Sequence, residues 1–334
     1  MDAMKHVRAV IAFLVFNTLV CATVALAQSP RFVIDDDEYC DKVTSACTKL
    51  LHEGRLVSLD TLHRQVRTKG VAVKLAPVSH AGLSGPDLCE RLRQSTLAVG
   101  IFYKCPDCGG WHFNSSTGFI VGQGGVVCTC CHVVLTEDKE VKESYLVAAD
   151  SSGHVYPVQS VVAADMDSDT CFLKIDAPGL KPLPLRPGVR AGERIYCLSN
   201  PGGFYFMFTQ GVVARMTWLH NEVLDEHGQT NGLLTRPILS LNVTTEFAPG
   251  SSGAPIVDES GNVVAQVSSI ADAGEPEPGV ENAPASPSVP VRFCTAAEEI
   301  LLLTNPRLEE NPPGDQTQAQ SNPIQPRVDK GKHK

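Results

Sequence analysis

Residues 117–134 read Thr-Gly-Phe-Ile-Val-Gly-Gln-Gly-Gly-Val-Val-Cys-Thr-Cys-Cys-His-Val-Val. Two short apolar and β-branched runs, residues 118–121 and 125–129, flank a glycine-rich turn, and this pattern predicts a β-hairpin. His132 lies three residues beyond the end of the second run. The segment therefore predicts a β-fold that carries a histidine at the end of one of its strands.

Short β-rich runs of the same kind, separated by Gly, Pro, Asn and Asp, continue on both sides of the hairpin. One group falls between residues 96 and 182 and a second between 192 and 303, with a proline- and glycine-rich connection between them. Regularly spaced short strands are typical of sandwiches and barrels. The sequence therefore predicts an all-β fold of two six-stranded antiparallel β-barrels, at about residues 96–182 and 192–303.

Segments of different character surround the predicted strands. Residues 28–95 predict a short mixed or helical N-terminal prelude, and the run that ends at Leu303 predicts one C-terminal helix. Residues 304–334 hold many Pro, Gln and Asn and few apolar residues, so we expect a disordered tail. Residues 271–290 predict a long acidic, proline-rich loop within the second barrel.

The N-terminus has the order of a secretory signal peptide. Lys5 and Arg8 precede an apolar run at residues 9–20, and residues 25–27 are Ala-Leu-Ala, a small-x-small cleavage pattern. A single membrane anchor is the alternative, but polar residues interrupt the apolar run. We expect residues 1–27 to be removed and the chain to be periplasmic or extracellular, without membrane contact after cleavage.

Charge narrows the range of partners. The 334-residue chain has 28 Lys and Arg against 37 Asp and Glu, a formal net charge of -9. Proteins that bind nucleic acids concentrate basic residues to neutralise phosphate. We therefore expect no nucleic-acid partner.

The segment at residues 246–257 carries the second chemical signal and reads Glu-Phe-Ala-Pro-Gly-Ser-Ser-Gly-Ala-Pro-Ile-Val. Small residues around Ser252 predict a tight loop whose inward N–H groups, those of Gly250 and Ser252, bind an oxyanion. A serine hydroxyl is a poor nucleophile without a base such as His132. That base needs an acid such as Asp169, which ends an acid cluster and leads into an apolar strand.

These segments resemble the trypsin/chymotrypsin-like serine endopeptidases, most closely their secreted bacterial Deg/HtrA-type branch. The resemblance covers roughly residues 96–303. It rests on Gly-Phe-Ile-Val and Thr-x-x-His-Val-Val at His132, Asp-x-x-x-Asp-x-x-x-Leu-Lys-Ile at Asp169, Asn-Pro-Gly-Gly from Asn200, and Pro-Gly-Ser-Ser-Gly-Ala-Pro at Ser252.

The resemblance implies a role for each matching residue. His132 is the base, Asp169 orients it, Ser252 is the nucleophile, and Gly250 and Ser252 form the oxyanion hole. Polypeptide substrates and catalysis without a cofactor follow from the same resemblance. No PDZ-like segment follows Leu303, so we expect a member of the branch that lacks this domain.

The resemblance also suggests residues that bind substrate. Glu246 lies six residues before Ser252, where trypsin-like relatives place the acid of the primary pocket, and a buried carboxylate there would select Lys or Arg. The alternative is a solvated acid at a strand end. Ser268, Ser269 and Ile270 align with the strand that pairs with the substrate backbone.

Twelve cysteines raise a separate question. Cys105 and Cys108, followed by His112, have the spacing of part of a zinc site, although a complete second pair of ligands is missing. Disulfide bonds are the alternative, which export favours. Removal of the signal peptide leaves eleven cysteines, so at least one cannot pair within the chain.

Three hypotheses follow. An exported serine endopeptidase that works through an acyl-enzyme explains the Ser, His and Asp motifs together. A catalytically silent protease homologue that binds peptides or proteins is the alternative. A zinc-stabilised structural or redox protein is suggested by the cysteines alone. The intact Ser-His-Asp set favours the first hypothesis.

Overall fold

The computed structural model describes residues 31–67, 69–136, 140–220, 234–272 and 289–305. The chain divides into two compact units, Met1–Asp35 and Asp36–Lys334, and all the described helices and strands lie in the second. The predicted signal peptide, almost all of the predicted tail and most of the predicted acidic loop lie outside the described residues. None of the helices in these ranges combines the length and apolar character that a bilayer crossing requires.

Seven antiparallel strands form the first sheet, in the order β5-β4-β1-β2-β3-β7-β6. The hairpin predicted at residues 117–134 is present as β2 and β3, with Phe119 opposite Cys128. Its turn needs glycine, because Gly125 has φ +80° and a Cβ there would lie 2.2 Å from the carbonyl oxygen of Ile175. The strands are β1 (Thr96–Lys104), β2 (Trp111–Gly122), β3 (Val126–Cys130), β4 (Ser144–Ala149), β5 (Val155–Pro157), β6 (Ser160–Asp165) and β7 (Thr170–Lys174).

Six antiparallel strands form a closed barrel, in the order β10-β13-β12-β11-β8-β9. Closure gives every strand a neighbour on each side, although the pairing does not extend over every residue of each strand. The strands are β8 (Arg194–Ser199), β9 (Met207–Leu219), β10 (Ile238–Val243), β11 (Pro255–Val257), β12 (Val263–Asp272) and β13 (Pro290–Ala296).

The predicted all-β fold is confirmed, with one refinement in the first sheet. Val155–Pro157 and Ser160–Asp165 form two separate strands, β5 and β6, and this sheet has seven strands instead of the predicted six. The split follows Pro157, which lacks the N–H that a continuing ladder requires. Within the described residues, the two edge strands β5 and β6 are not paired with each other.

Short helices accompany the sheets, as the sequence predicts for the prelude and for the C-terminal end. The third helix begins after Ser84, whose hydroxyl accepts a hydrogen bond from the amide of Asp87 at 3.3 Å. The helices are α1 (Asp36–His52), α2 (Leu59–His63), α3 (Gly85–Arg93), α4 (Cys131–Leu135) and α5 (Ala297–Leu302).

Each sheet surrounds its own apolar core. Leu97, Ile120 and Leu173 lie fully buried in the first core, and α2 adds Leu59 and Leu62 to it. The core of the barrel is built from other residues, among them Leu241, Ile256, Val264 and Cys294. Because the two cores are separate, the residues that join the sheets lie between the two cores.

Asn200 joins the two sheets. It follows β8 of the barrel and is fully buried, while the acceptors of its side-chain amide belong to the first sheet. Its side-chain amide donates to the carbonyl of Ser116 and to the hydroxyl of Thr117, each at 3.1 Å. A buried amide with good partners on another element fixes one orientation of the two sheets.

Candidate active site

The pairing of β3 with β7 brings His132 and Asp169 together. Cys130, at the end of β3, lies opposite Thr170, the first residue of β7. His132 is the second residue of α4, which follows β3 directly, and Asp169 immediately precedes β7. The amide of Cys131 donates to the carbonyl of Asp169 at 3.2 Å. Two segments that are 37 residues apart therefore meet where β3 ends and β7 begins.

The Asp169 carboxylate contacts His132 at two points. Oδ2 lies 2.6 Å from Nδ1 of the imidazole, and Oδ1 accepts a hydrogen bond from the backbone amide of His132 at 3.0 Å. Ser268 adds a longer contact from its Oγ to Oδ2, at 3.4 Å. Because Nδ1 contacts the carboxylate, Nε2 is the ring nitrogen that remains to exchange a proton with a substrate. The His132 side chain is 50% exposed, so a substrate can reach it.

Asp169 has an unusual backbone conformation. Its φ of +52° lies in the left-handed region, where Asp is among the few residues other than glycine that occur with any frequency. Residues held in such conformations cost free energy and persist where the surrounding structure determines them. The Asp169 carboxylate contacts both the side chain and the backbone amide of His132, so this backbone conformation directs the carboxylate toward the histidine.

A buried charge network supports the turn that carries Asp169. The Asp165 carboxylate is 2% exposed, accepts a hydrogen bond from the hydroxyl of Ser168 at 2.9 Å, and lies 2.5 Å from the guanidinium of Arg236. Glu299, on α5, binds the same guanidinium at 2.5 Å. Sequence reasoning did not find this network, because its members are far apart in the chain and belong to no shared motif.

The loop that carries Ser252 is hydrogen-bonded to β2. The amide of Thr117 donates to the carbonyl of Ser252 at 3.0 Å, and the Thr117 hydroxyl donates to the carbonyl of Gly250 at 2.9 Å. The neighbouring Ser251 points inward, is fully buried, and donates its hydroxyl proton to Ser199 at 3.0 Å. The loop is thus fixed on both sides of Ser252.

Gly253 lacks a Cβ, which allows the backbone of the loop to approach β2 and β3 closely. It has φ +84°, and a Cβ there would lie 2.3 Å from the carbonyl oxygen of Thr117 and 2.4 Å from Oγ1 of Thr129. Only glycine fits this position, for space and for backbone conformation. Thr129 is three residues before His132, so the contact places the Ser252 loop beside the strand end that carries the histidine.

Gly250 makes a similar contact with the segment after β8. Its φ is +95°, and a Cβ there would lie 2.5 Å from the carbonyl oxygen of Asn200. The amide of Gly202 donates to the carbonyl of Pro249 at 2.7 Å in the same place. The Asn-Pro-Gly-Gly motif that begins at Asn200 therefore supports the loop.

Two amides of the loop are left to bind a ligand. Across the described part of the chain, the N–H groups of Gly250 and Ser252 make no hydrogen bond, whereas those of Ser251, Gly253 and Ala254 donate to backbone carbonyls. Paired N–H groups of this kind stabilise the oxyanion of a tetrahedral intermediate. The structure thus leaves available the two amides named from the sequence.

The hydroxyl of Ser252 has no hydrogen bond to His132, nor to any other residue that the structure describes. The side chain is partly exposed, and its loop is fixed by the contacts of Thr117 and Gly253. In sites without substrate, the bond between nucleophile and base is often long and tightens in the complex. The structure therefore brings His132 and Asp169 together directly, and it holds the loop of Ser252 against β2 and β3, the strand that leads to His132.

Cys130 lies close to the same pair, with a donor atom within 4.8 Å of those of His132 and Asp169. Burial raises the pKa of the Cys130 thiol well above its ordinary value. Its sulfur also accepts a hydrogen bond from the side-chain amide of Gln266 at 3.1 Å and donates to the carbonyl of Val267 at 3.2 Å. A buried protonated thiol is not a nucleophile, so Cys130 is not a candidate for that role.

Glu246 does not match its predicted role as a buried acid. Its side chain is 67% exposed, and its carboxylate pairs with the guanidinium of Arg292 on β13. A neutralised carboxylate in solvent does not select a basic side chain by charge. The spacing to Ser252 matched the relatives, but spacing along the chain does not determine on which side of the barrel wall a side chain points.

The strand segment of Ser268, Ser269 and Ile270 has an open edge. These residues lie on β12, which pairs with β11 only as far as Gln266 and with β13 to its end. Ser269 and Ile270 are exposed, and Ser268 reaches Asp169. An extended chain can therefore add to this edge beside the Asp169 and His132 pair.

Cys105, Cys108 and His112 meet at the end of the hairpin formed by β1 and β2. Their donor atoms all lie within 4.8 Å of one another. The eleven described cysteines are free thiols, so the structure does not contain the predicted disulfide bonds. Cysteines such as Cys128 and Cys197 are fully buried core residues, and burial raises the pKa of Cys197 to about 12.

Comparisons with known proteins agree with this geometry. Residues 116–265 match the family described as "Trypsin-like peptidase domain". The chain is 30% identical over 156 residues to "Protease Do-like 1, chloroplastic" of Arabidopsis thaliana, which covers 45% of this chain and 32% of the relative. It is 26% identical over 153 residues to "Serine protease HTRA2, mitochondrial" of Drosophila pseudoobscura pseudoobscura, with 45% and 33% covered. The chain spans about a third of the length of these curated relatives.

Among solved structures, the chain is similar to "HtrA-type protease AlgW with decapeptide", with a TM-score of 0.48, 18% identity and 66% of each chain covered. The match at residues 116–265 includes His132, Asp169 and Ser252, so this part of the chain is similar to a trypsin-like peptidase domain. The chain is similar to the two named proteases over less than half of its own length.

Proposed function

We propose that this chain is an exported serine endopeptidase that hydrolyses peptide bonds through Ser252, His132 and Asp169. The observation that supports this most strongly is the contact of 2.6 Å between His132 and Asp169, beside a loop with two unpaired amides. No residue of the mechanism requires a cofactor. Polypeptides are the substrate class.

The proposed reaction has two halves. Ser252 Oγ attacks the scissile carbonyl carbon while Nε2 of His132 takes its proton, and the amides of Gly250 and Ser252 bind the oxyanion. The C–N bond then breaks as His132 gives the proton to the leaving amine. Water attacks the resulting ester with His132 again as base, and the product acid and free serine are released. Asp169 holds the imidazole and stabilises its positive charge throughout.

The substrate chain is proposed to lie along the open edge of β12. Residues 269–272 have backbone partners on the β13 side only, within the part of the chain that the structure describes. A peptide added to this edge gains main-chain hydrogen bonds that do not depend on its sequence. The edge begins next to Ser268, whose Oγ lies 3.4 Å from Oδ2 of Asp169, so the added peptide would run past the proposed catalytic pair.

A peptide-binding module without catalysis is the second candidate. The open edge of β12 would serve such a module equally well. Peptide hydrolysis that is lost in Ser252→Ala would support the peptidase, whereas peptide binding without hydrolysis would support the module.

Replacement of Ser252 by Ala is expected to abolish cleavage of an unfolded protein substrate, with kcat reduced by about 10⁶-fold. Asp169→Asn retains the shape of the carboxyl group but removes its charge, so we expect kcat to fall by about 10⁴-fold. Initial rates with a fluorescent casein measure both. Ser151→Ala, in the turn between β4 and β5, is the matched control and should keep the wild-type rate. Equal rates for wild type and Ser252→Ala would contradict the proposed nucleophile.

Glu246→Gln is expected to change kcat/KM for substrates with Lys or Arg before the scissile bond by less than about threefold. The reason is that Glu246 is exposed and already paired with Arg292. A peptide library with all residue types at that position measures the preference for both proteins. A basic preference in wild type that disappears in Glu246→Gln would restore the acid as the specificity determinant.

Export is proposed from the order of the N-terminal residues. If it occurs, the protein recovered from the periplasm or medium of an expressing bacterium begins at Gln28. N-terminal sequencing of that fraction measures this. A chain found in the cytoplasm with residues 1–27 still attached would contradict export.

A further inference from the structure

A cluster of metal-binding side chains lies outside the proposed catalytic site, at the tip of the hairpin between β1 and β2. The tip reads Cys-Pro-Asp-Cys-Gly-Gly-Trp-His over residues 105–112. The sulfurs of Cys105 and Cys108 and a ring nitrogen of His112 lie within 4.8 Å of one another, and Cys108 Sγ is 3.1 Å from Nε2 of His112. Three converging donors of this kind are the feature to be explained.

The backbone of the tip is already folded around the two sulfurs. The amide of Gly109 donates to the carbonyl of Cys105 at 3.0 Å, and Gly109 has φ +68°, a conformation that glycine adopts without strain. The amide of Cys105 in turn donates to the carbonyl of Gly110 at 2.9 Å. The tight turn therefore holds both cysteines on the same side before any ligand binds.

A backbone amide also points at one of the sulfurs. The amide of Gly110 donates to Sγ of Cys108 at 3.4 Å. A hydrogen bond from an N–H group stabilises negative charge on sulfur, and the thiolate is the form that binds metals.

The donor set indicates the metal. Two thiolates and one imidazole suit Zn²⁺, which takes sulfur at about 2.3 Å and nitrogen at about 2.0–2.1 Å in a tetrahedral arrangement. That geometry separates neighbouring ligand atoms by roughly 3.5–4 Å. The three donors lie within 4.8 Å of one another, so they already converge on the volume that one ion would occupy.

The fourth position is open to solvent. Within the described ranges, no fourth His, Cys, Asp or Glu contributes a donor atom to the cluster of Cys105, Cys108 and His112. Cys108 and His112 are exposed, so water can reach the ion. A site with three protein ligands and one water is a stable arrangement for zinc.

The cluster is separate from the proposed active site. His112 and Thr117 lie on the same strand, β2, five residues apart, which is about 17 Å in an extended strand. Thr117 contacts the Ser252 loop, whereas His112 is at the far end of the hairpin. A metal there would brace the end of β1 and β2 without contacting substrate.

We propose that the hairpin tip binds one Zn²⁺ ion through Cys105, Cys108 and His112, with water as the fourth ligand. The site does not depend on the proposed peptidase activity. A disulfide between Cys105 and Cys108 is the competing state, because it would consume both sulfur donors.

Competition with a chromophoric chelator tests the proposal on the purified, reduced and metal-free chain. We expect one Zn²⁺ per chain, with affinity weakened about 100-fold or more by Cys108→Ser and by His112→Ala. Cys89→Ser, on α3, is the matched control and should bind as wild type does. His132→Ala should also bind normally, which excludes the Cys130, His132 and Asp169 cluster as the site.

A second readout uses Co²⁺ in place of Zn²⁺. Thiolate-to-cobalt charge-transfer absorption is expected in wild type and Cys89→Ser and should be lost when both Cys105 and Cys108 are replaced by serine. Thermal unfolding of each metal-free variant verifies that it is folded. The proposal is overturned if the reduced wild type binds no zinc, or if the double variant binds it as tightly as wild type.

Discussion

The close contact of one loop backbone with two sheets is the constraint on which the rest of the structure depends. At Gly250 and Gly253 the loop approaches the carbonyl oxygens of Asn200 and Thr117 so closely that a Cβ would lie 2.5 Å and 2.3 Å away. These contacts leave no freedom to shift the loop, and the hydrogen bonds of Thr117 fix its register. The barrel therefore presents Ser252 at one defined place on the first sheet.

This constraint divides the proposed chemistry between the two halves of the fold. The first sheet supplies the base and its acid, because the register of β3 and β7 sets His132 against Asp169. The barrel supplies the nucleophile, the two unpaired amides and the open edge of β12. A site assembled from two cores needs each core to be rigid, and buried groups such as Asn200 hold them in one relative orientation.

The sequence predicts those features of the fold and of the site that depend on local pattern and on spacing within strands. The β2 and β3 hairpin follows from glycines between β-branched runs, and the contact of His132 with Asp169 follows from their places at strand ends. Features that depend on side-chain direction or on distant partners were missed. Glu246 points to solvent, and the Asp165 and Arg236 pair joins residues that no local pattern connects. The described cysteines are free thiols, and most of the buried ones fill core positions.

The central claim is that Ser252 is a nucleophile activated by His132 and Asp169, and covalent labelling tests it most directly. The folded chain is incubated with a fluorophosphonate, and the modified residue is identified by peptide mapping and mass spectrometry. One adduct on Ser252, much slower to form in His132→Ala, is the predicted result. A folded wild-type chain that takes no label, or a label on another residue with Ser252 unmodified, would contradict the account.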